Sequence, residues 1–298
     1  MENVQIKGNV YRYVVNYKND DKLRASFNSL TSKVFGFDLE DWYQNGYWKD
    51  TYIPYSILND TTVISNISVN VIDFVTHGEN RKYVQLGTVM TDRDYRNQGL
   101  NKFLMEKVLA DWRGKCDLIY LFANNTVLDF YPKFGFHSVQ EYQHSKALDS
   151  GNIKSEFTKL NMSEKENQDL LYRKANQSAH FATLSMEGNA GLIMFYCTSF
   201  MDQDVYYIED FDAIAIATFE DDTLYLKNIF SEKEIALNDI ILSLANEKTK
   251  RVRLGFTSKD PSGLDEHPFQ QDDTLFILDD KEGLLDGRKL MFPVLSHA

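Results

Sequence analysis

The segment Thr91–Asn101 (TDRDYRNQGLN) constrains this chain more than any other, because it joins a β-type run directly to a helical one. Tyr83–Met90 reads as a strand, and Leu100, Phe103, Leu104 and Val108 recur afterwards at the spacing of one helix face. A strand that feeds straight into a helix belongs to a mixed α/β architecture. The start of such a helix presents backbone N–H groups that lack partners within the helix. Together with the helix dipole they form an anion site suited to phosphates. Gly99 lets the backbone approach a ligand closely, and Arg96 offers a two-pronged charged contact. The turn is therefore a candidate pyrophosphate cradle. Taken alone it is also compatible with an ordinary helix cap carrying a solvated arginine.

The surrounding chain supplies more strands and helices. Val10–Val15 is β-rich, and Asp20 or Asp21 can cap a helix bearing Leu23, Phe27, Leu30 and Val34. The aromatic stretch from Phe35 to Trp48 follows. Tyr55–Leu58, the turn Asn59–Asp60 and Val63–Phe74 read as a hairpin in which Ile67, Val69 and Val71 alternate with Ser68 and Asn70. Leu118–Ala123 is a further buried strand. The polar segment Lys146–Glu156, with Gly151, places a boundary between domains at residues 1–148 and 153–298. In the second half, Phe157–Leu160 reads as a strand, and Ser163 with Glu166 suggests a capping box for a helix reaching Ala179. Element order then repeats. Pro54–Asp73 is echoed by Val205–Phe219, Tyr83–Ala110 by Leu224–Ala245, and Leu118–Ala123 by Val252–Phe256, which points to a tandem duplication.

Composition excludes several classes. The net charge of −12 argues against a general nucleic-acid binder. The acidic surplus lies almost wholly beyond residue 149, and a field of that sign attracts cations. No apolar run approaches the ~18 residues of a membrane span. The amino terminus lacks the pattern of a secretory signal, and the two cysteines, Cys116 and Cys197, form no disulfide framework. A cytoplasmic location is expected. The six histidines show no metal-ligand spacing, and no G-x-G, Walker, H-E-x-x-H or G-x-S-x-G motif occurs.

Two blocks carry a resemblance. Arg96-Asn97-Gln98-Gly99-Leu100-Asn101 fits R-x-x-G-x-A/G except at Asn101, and Asp94-Tyr95 fits the usual lead-in, with Arg93 where proline is common. Downstream, Leu118–Ala123 is followed by Asn124 and by Phe130-Tyr131-Pro132-Lys133-Phe134-Gly135-Phe136, an F-Y-x-x-x-G-F block. Over about residues 10–145 the sequence resembles the GNAT superfamily of N-acetyltransferases, whose signature turn follows its fourth strand.

The resemblance implies two tandem GNAT-like domains of mixed α/β class, each a largely antiparallel sheet flanked by helices, the first one active. It implies acetyl-CoA as co-substrate, with the pyrophosphate held by the backbone of Arg96, Asn97, Gln98, Gly99, Leu100 and Asn101. The strand Val89, Met90, Thr91 would pair with the pantetheine arm, the N–H near Val89 would polarise the thioester carbonyl, and Asn124 would orient the arm. Tyr131 would serve as general acid to the leaving thiolate. The base is left open among Asp38, Glu40, Asp41, a water and the terminal carboxylate of the apolar tail Phe292–Ala298. The expected acceptor is a small-molecule amine, with a lean toward a cationic one such as a polyamine or an aminoglycoside-like compound. No nucleic-acid or membrane partner is expected, and monomer and homodimer both remain open. The alternative is a non-catalytic acyl-CoA-binding sensor or scaffold. In the second half, Ser231–Asn238 has no glycine and carries Glu232 and Glu234, so no coenzyme is expected there.

Overall fold

The structure is a computed structural model, and it describes residues 1–149, 154, 156–270, 272–281, 283–285 and 287–297. The chain opens with the hairpin β1 (Glu2–Ile6) and β2 (Asn9–Val15), helices α1 (Asp21–Phe35) and α2 (Glu40–Gln44), and the long strands β3 (Tyr52–Asn59), β4 (Thr62–Thr76) and β5 (Glu79–Thr91). Helix α3 (Leu100–Trp112), β6 (Leu118–Asn124), β7 (His137–Val139) and β8 (Tyr142–Ala147) follow. Then come β9 (Thr158–Lys159), α4 (Lys165–Asn176), β10 (Leu184–Glu187) and α5 (Ala190–Ser199). After them lie β11 (Val205–Ile208), β12 (Ala213–Glu220), β13 (Thr223–Phe230), α6 (Leu237–Leu244), β14 (Arg251–Leu254), β15 (Asp265–Pro268) and β16 (Asp273–Leu278).

Two mixed sheets form. The first runs β1-β2-β3-β4-β5-β6-β16-β7, with β10 also paired to β4; the second runs β15-β8-β14-β13-β12-β11-β9. Within each, one pair is parallel and flanks a crossover helix: β5 with β6 around α3, and β13 with β14 around α6. The repeated element order is thus a repeated fold, two units of mixed α/β class. The sheets nevertheless do not divide the chain at 148–153. Strand β8 pairs with β14 and β15 in the second sheet, while β16, from far downstream, enters the first sheet between β6 and β7. Residues 150–153 and 155 of the expected boundary lie outside the described residues.

Local chemistry sets the elements. Asp20 caps α1, its carboxylate accepting from the N–H groups of Lys22 and Leu23, both at 3.1 Å. The expected capping box of α4 does not form. Glu164 occupies the cap position without a side-chain bond, and Asn161 instead accepts from the Ser163 N–H at 3.1 Å and hydroxyl at 2.8 Å. The alternation in the first hairpin also has an unexpected outcome. Ile57, Ile67 and Val69 face α3, but Ser56, Asn66, Ser68 and Asn70 are buried as well, because α1 covers the opposite face. Three of them are linked: Tyr17 and Ser56 share a 2.6 Å bond, Ser56 donates to Asn66, and Asn66 donates to Ser68, while the Asn70 amide nitrogen has no hydrogen-bond partner among the described residues.

The carboxyl-terminal segment is docked between the sheets, as its apolar character suggests. Val294 N–H donates to the Gly255 carbonyl at 2.9 Å, and the Tyr120 hydroxyl donates to the Ser296 carbonyl at 3.0 Å. Phe292 is fully buried and packs 4.4 Å from the Tyr120 ring, with Phe74 and Tyr83 beside it. This ring joins strands of the first sheet to the tail. Phe292→Ala should destabilise the chain by about 3–5 kcal/mol, the range for deleting a buried aromatic, read as a lower urea midpoint.

Candidate active site

Strands β5 and β6 pair in parallel only from Tyr83–Leu118 to Leu86–Leu121. Beyond Leu86, β5 bulges: Gly87 still opposes Ser68 and Met90 opposes Asn66, so the run Thr88–Val89 exceeds what β4 can match. Thr88 sits at φ 47°, a left-handed conformation that a β-branched residue rarely adopts. Its strain is held by neighbours. The Tyr52 hydroxyl bonds the Thr88 hydroxyl, and the Asn66 amide donates to the Thr88 carbonyl at 3.0 Å. The two strands therefore splay, and a cleft opens between them.

One end of the cleft is a groove of about 1170 Å³ lined by Met90, Thr91, Arg96, Asn97, Gly99, Leu100 and Asn101. Gly99 has φ 86°, and α3 starts there without any side-chain cap, so its first N–H groups are left to the groove. Asn97 is also left-handed, at φ 63°. Lys7, in the turn between β1 and β2, reaches over and donates to the Asn97 carbonyl at 2.9 Å. With Lys102 and Lys133 it adds positive charge that no local pattern had announced. Not every residue of the turn faces the groove. Gln98 is held by Tyr11, whose hydroxyl donates to its carbonyl oxygen at 2.6 Å. The Arg96 N–H turns back to the Arg93 carbonyl at 3.4 Å. Asn101 accepts from the hydroxyls of Ser65 at 2.6 Å and Thr91 at 2.9 Å, so its side chain ties α3 to β4 and β5 where the family motif has a small residue.

The other end, about 470 Å³, is lined by Val89, Phe122, Asn124, Tyr131, Asp273 and His297 among others. Tyr131 is buried among Phe130, Phe136 and Phe276, and its hydroxyl has no hydrogen-bond partner among the described residues. Burial pushes its pKa up to about 12, so the phenol holds its proton at neutral pH. Asn124 closes its own turn, its carbonyl oxygen accepting from the Thr126 N–H at 3.0 Å; its amide N–H groups remain for the cleft. Asp273 enters with β16, directly opposite Asn124 in the ladder. Burial, with the charge of Asp272 behind it, raises its pKa. His297 stacks on Phe122 with ring centroids 3.5 Å apart, and burial lowers its pKa to about 3, so the ring is neutral.

None of the three acids considered as a base, Asp38, Glu40 or Asp41, lines either end of the cleft. Glu40 is instead locked to Arg24 at 3.0 and 3.1 Å and to Asn28 at 2.8 Å. The terminal carboxylate, on Ala298, lies outside the described residues. In the second unit, Glu232 pairs with the buried Lys174 at 3.2 Å, and Glu234 with Lys259 at 3.4 Å. Among the described residues, no group of His, Cys, Asp and Glu is arranged to hold a metal ion, and no helix is long and apolar enough to cross a membrane.

A splayed parallel pair, a glycine-initiated helix at its mouth and a buried tyrosine across the gap make up the candidate site. Residues 17–139 match the acetyltransferase (GNAT) domain family, so that part of the chain is a GNAT domain. Among solved structures it is similar to Eis1 from Mycobacterium abscessus, at 14% identity over 93% of this chain and 76% of that one, with a TM-score of 0.57. It is similar also to a GCN5-related N-acetyltransferase from Kribbella flavida, at 14% identity over 91% and 72%, with a TM-score of 0.55. A probable N-acyltransferase from Enterococcus faecalis V583 matches at 13% identity over 89% and 72%, again with a TM-score of 0.55. At such identities the likeness is one of fold, and it extends over both units. No curated protein matches the chain significantly.

The Glu40 knot has a pH signature. The Arg24 guanidinium holds the Glu40 carboxyl below the usual carboxylate range. A depressed carboxyl contributes stability above its unfolded pKa and loses it as pH falls through the folded value. Glu40→Gln should therefore lower the urea midpoint at neutral pH. Its deficit relative to the parent chain should shrink below about pH 4, where an unfolded glutamate protonates.

Proposed function

We propose that the chain transfers an acetyl group from acetyl-CoA to a small primary amine, with the first unit as the active one. The observation that carries this reading is the continuous cleft from the basic, uncapped start of α3 to the protonated Tyr131. The donor set suits a pyrophosphate: free N–H groups at Gly99 and Leu100, with Lys7, Arg96, Lys102 and Lys133 around them. When bound, acetyl-CoA supplies the thioester. The edge of β5 at Val89, Met90 and Thr91, freed by the splay, offers backbone groups to the pantetheine arm. The bulge at Thr88 sets the direction of the Val89 N–H, which would stabilise charge developing on the carbonyl oxygen. The amine nitrogen would bond to the carbonyl carbon as the carbon–sulfur bond breaks. The surplus proton on nitrogen would leave to solvent, and Tyr131 would protonate the departing sulfur.

In the second unit the corresponding turn has no glycine, and its glutamates are engaged with lysines rather than with a ligand. This supports a single coenzyme site per chain.

Tyr131→Phe should lower turnover, measured as thiol release, while leaving acetyl-CoA affinity nearly unchanged, because the lost group acts in the transition state. Gly99→Asp should abolish acetyl-CoA binding in a calorimetric titration that gives one site per chain for the parent protein. Stabilisation by acetyl-CoA without thiol release across a panel of amines would favour the sensor reading. A stoichiometry of two would overturn the assignment of the second unit.

A further inference from the structure

The chemistry of the inner end of the cleft restricts the acceptor more than the charge of the whole chain does. Most polar side chains lining it are already engaged: Thr88 by Tyr52, Asn101 by Ser65 and Thr91, and the carbonyl oxygen of Asn124 by Thr126. Gln85 donates to the Leu86 carbonyl. Among the described residues the exposed Asp273 is the one carboxylate in the lining, and it has no hydrogen bond or ion pair there. No lysine or arginine lines this end among the described residues.

The walls are apolar. Phe122 and Phe130 form the inside, and Phe35 and Val127 stand at the mouth, 45% and 37% exposed. Phe35 does not stand alone. It stacks on Phe37 at 6.0 Å, and Phe37 meets Phe200, itself 50% exposed, at 5.2 Å. A ridge of rings, exposed at Phe35 and Phe200 and partly buried at Phe37, thus leads into the cleft, and exposed apolar surface gathered at a site marks what the site covers.

We propose that the inner end of the cleft takes an arylalkyl primary amine, its ammonium drawn to Asp273 and there losing a proton to solvent before the neutral nitrogen attacks, with its ring placed against Phe35, Phe122 and Val127. This deepens the transfer reading above and rests on it. A polycation fits poorly, since each further charge brought against the phenyl walls meets no second carboxylate among the described lining residues. An aromatic ring on a short arm instead covers surface that the free protein leaves wet. The acidic balance of the chain then concentrates cations without choosing among them.

Thiol release from acetyl-CoA with phenethylamine and with spermidine as acceptors tests the assignment. Phenethylamine should give a kcat/KM at least about tenfold higher, the size of discrimination that one apolar contact supplies. Asp273→Asn should raise the KM for phenethylamine about tenfold, equivalent to ~1.4 kcal/mol, with the thermal stabilisation by acetyl-CoA unchanged. Phe35→Ser, at a half-exposed position, should reduce the preference for phenethylamine over spermidine without lowering the melting temperature. Equal or better turnover of spermidine, or an Asp273→Asn variant whose KM stays within twofold, would overturn the proposal. If another class of amine on a wider panel is acetylated and phenethylamine is not, the proposal fails and the transferase reading stands. No release with any amine overturns both.

Discussion

The site depends on one interruption in hydrogen bonding. Strands β5 and β6 pair in parallel, and a parallel pair that stayed in register would leave no space between them. The excess backbone at Thr88 and Val89 turns β5 aside, and the separation it creates is the cleft. A left-handed threonine is unfavourable by itself. It persists because Tyr52 and Asn66 bind its hydroxyl and carbonyl, and because Asn66 is itself fixed through Ser56 and Ser68 to Tyr17. The polar face beneath α1 is therefore part of the site's construction, although none of Tyr17, Ser56 or Asn66 lines the cleft.

Much of the first unit was legible in the sequence because its signals are local. The cap at Asp20, the hairpin turn, expected at Asn59–Asp60 and formed by Asp60 and Thr61, and the glycine-initiated helix after Arg96 each depend on residues within a few positions of one another. The repeat was legible for the same reason, as strand–helix–strand order survives even where residues differ. The exchange of β8 and β16 between the sheets was not legible. Which strand fills a slot is decided by long-range pairing, and β16 reads locally like any short buried strand. With β16 came Asp273, and with the β1–β2 turn came Lys7, so two charged groups of the cleft lay beyond the reach of motif spacing.

Several polar residues have partners that local spacing does not announce. Ser56, Asn66, Ser68 and Asn70 alternate with apolar residues, yet all four are buried because α1 covers their face. The S-x-x-E sequence before α4 lost to Asn161, one turn earlier, whose carboxamide organises the same backbone. Asp38, Glu40 and Asp41 lie in a segment that borders the cleft through Phe35, yet Arg24 draws Glu40 away from it. Asn101, the departure from the family motif, accepts from two hydroxyls that also bond each other, and so ties α3 to β4 and β5.

The strand exchange also sets an order of events during synthesis. Strand β6 leaves the ribosome long before β16, and until β16 arrives one edge of β6 has no partner in the first sheet. Strand β8 meanwhile has no second sheet to join until β14 and β15 are made. Neither sheet can complete itself from its own half of the chain, so contacts of high sequence separation govern the final closure. The nascent first half exposes an open edge of the kind that pairs with wrong partners. A cell making this protein must reach β16 before the first sheet can close over β6.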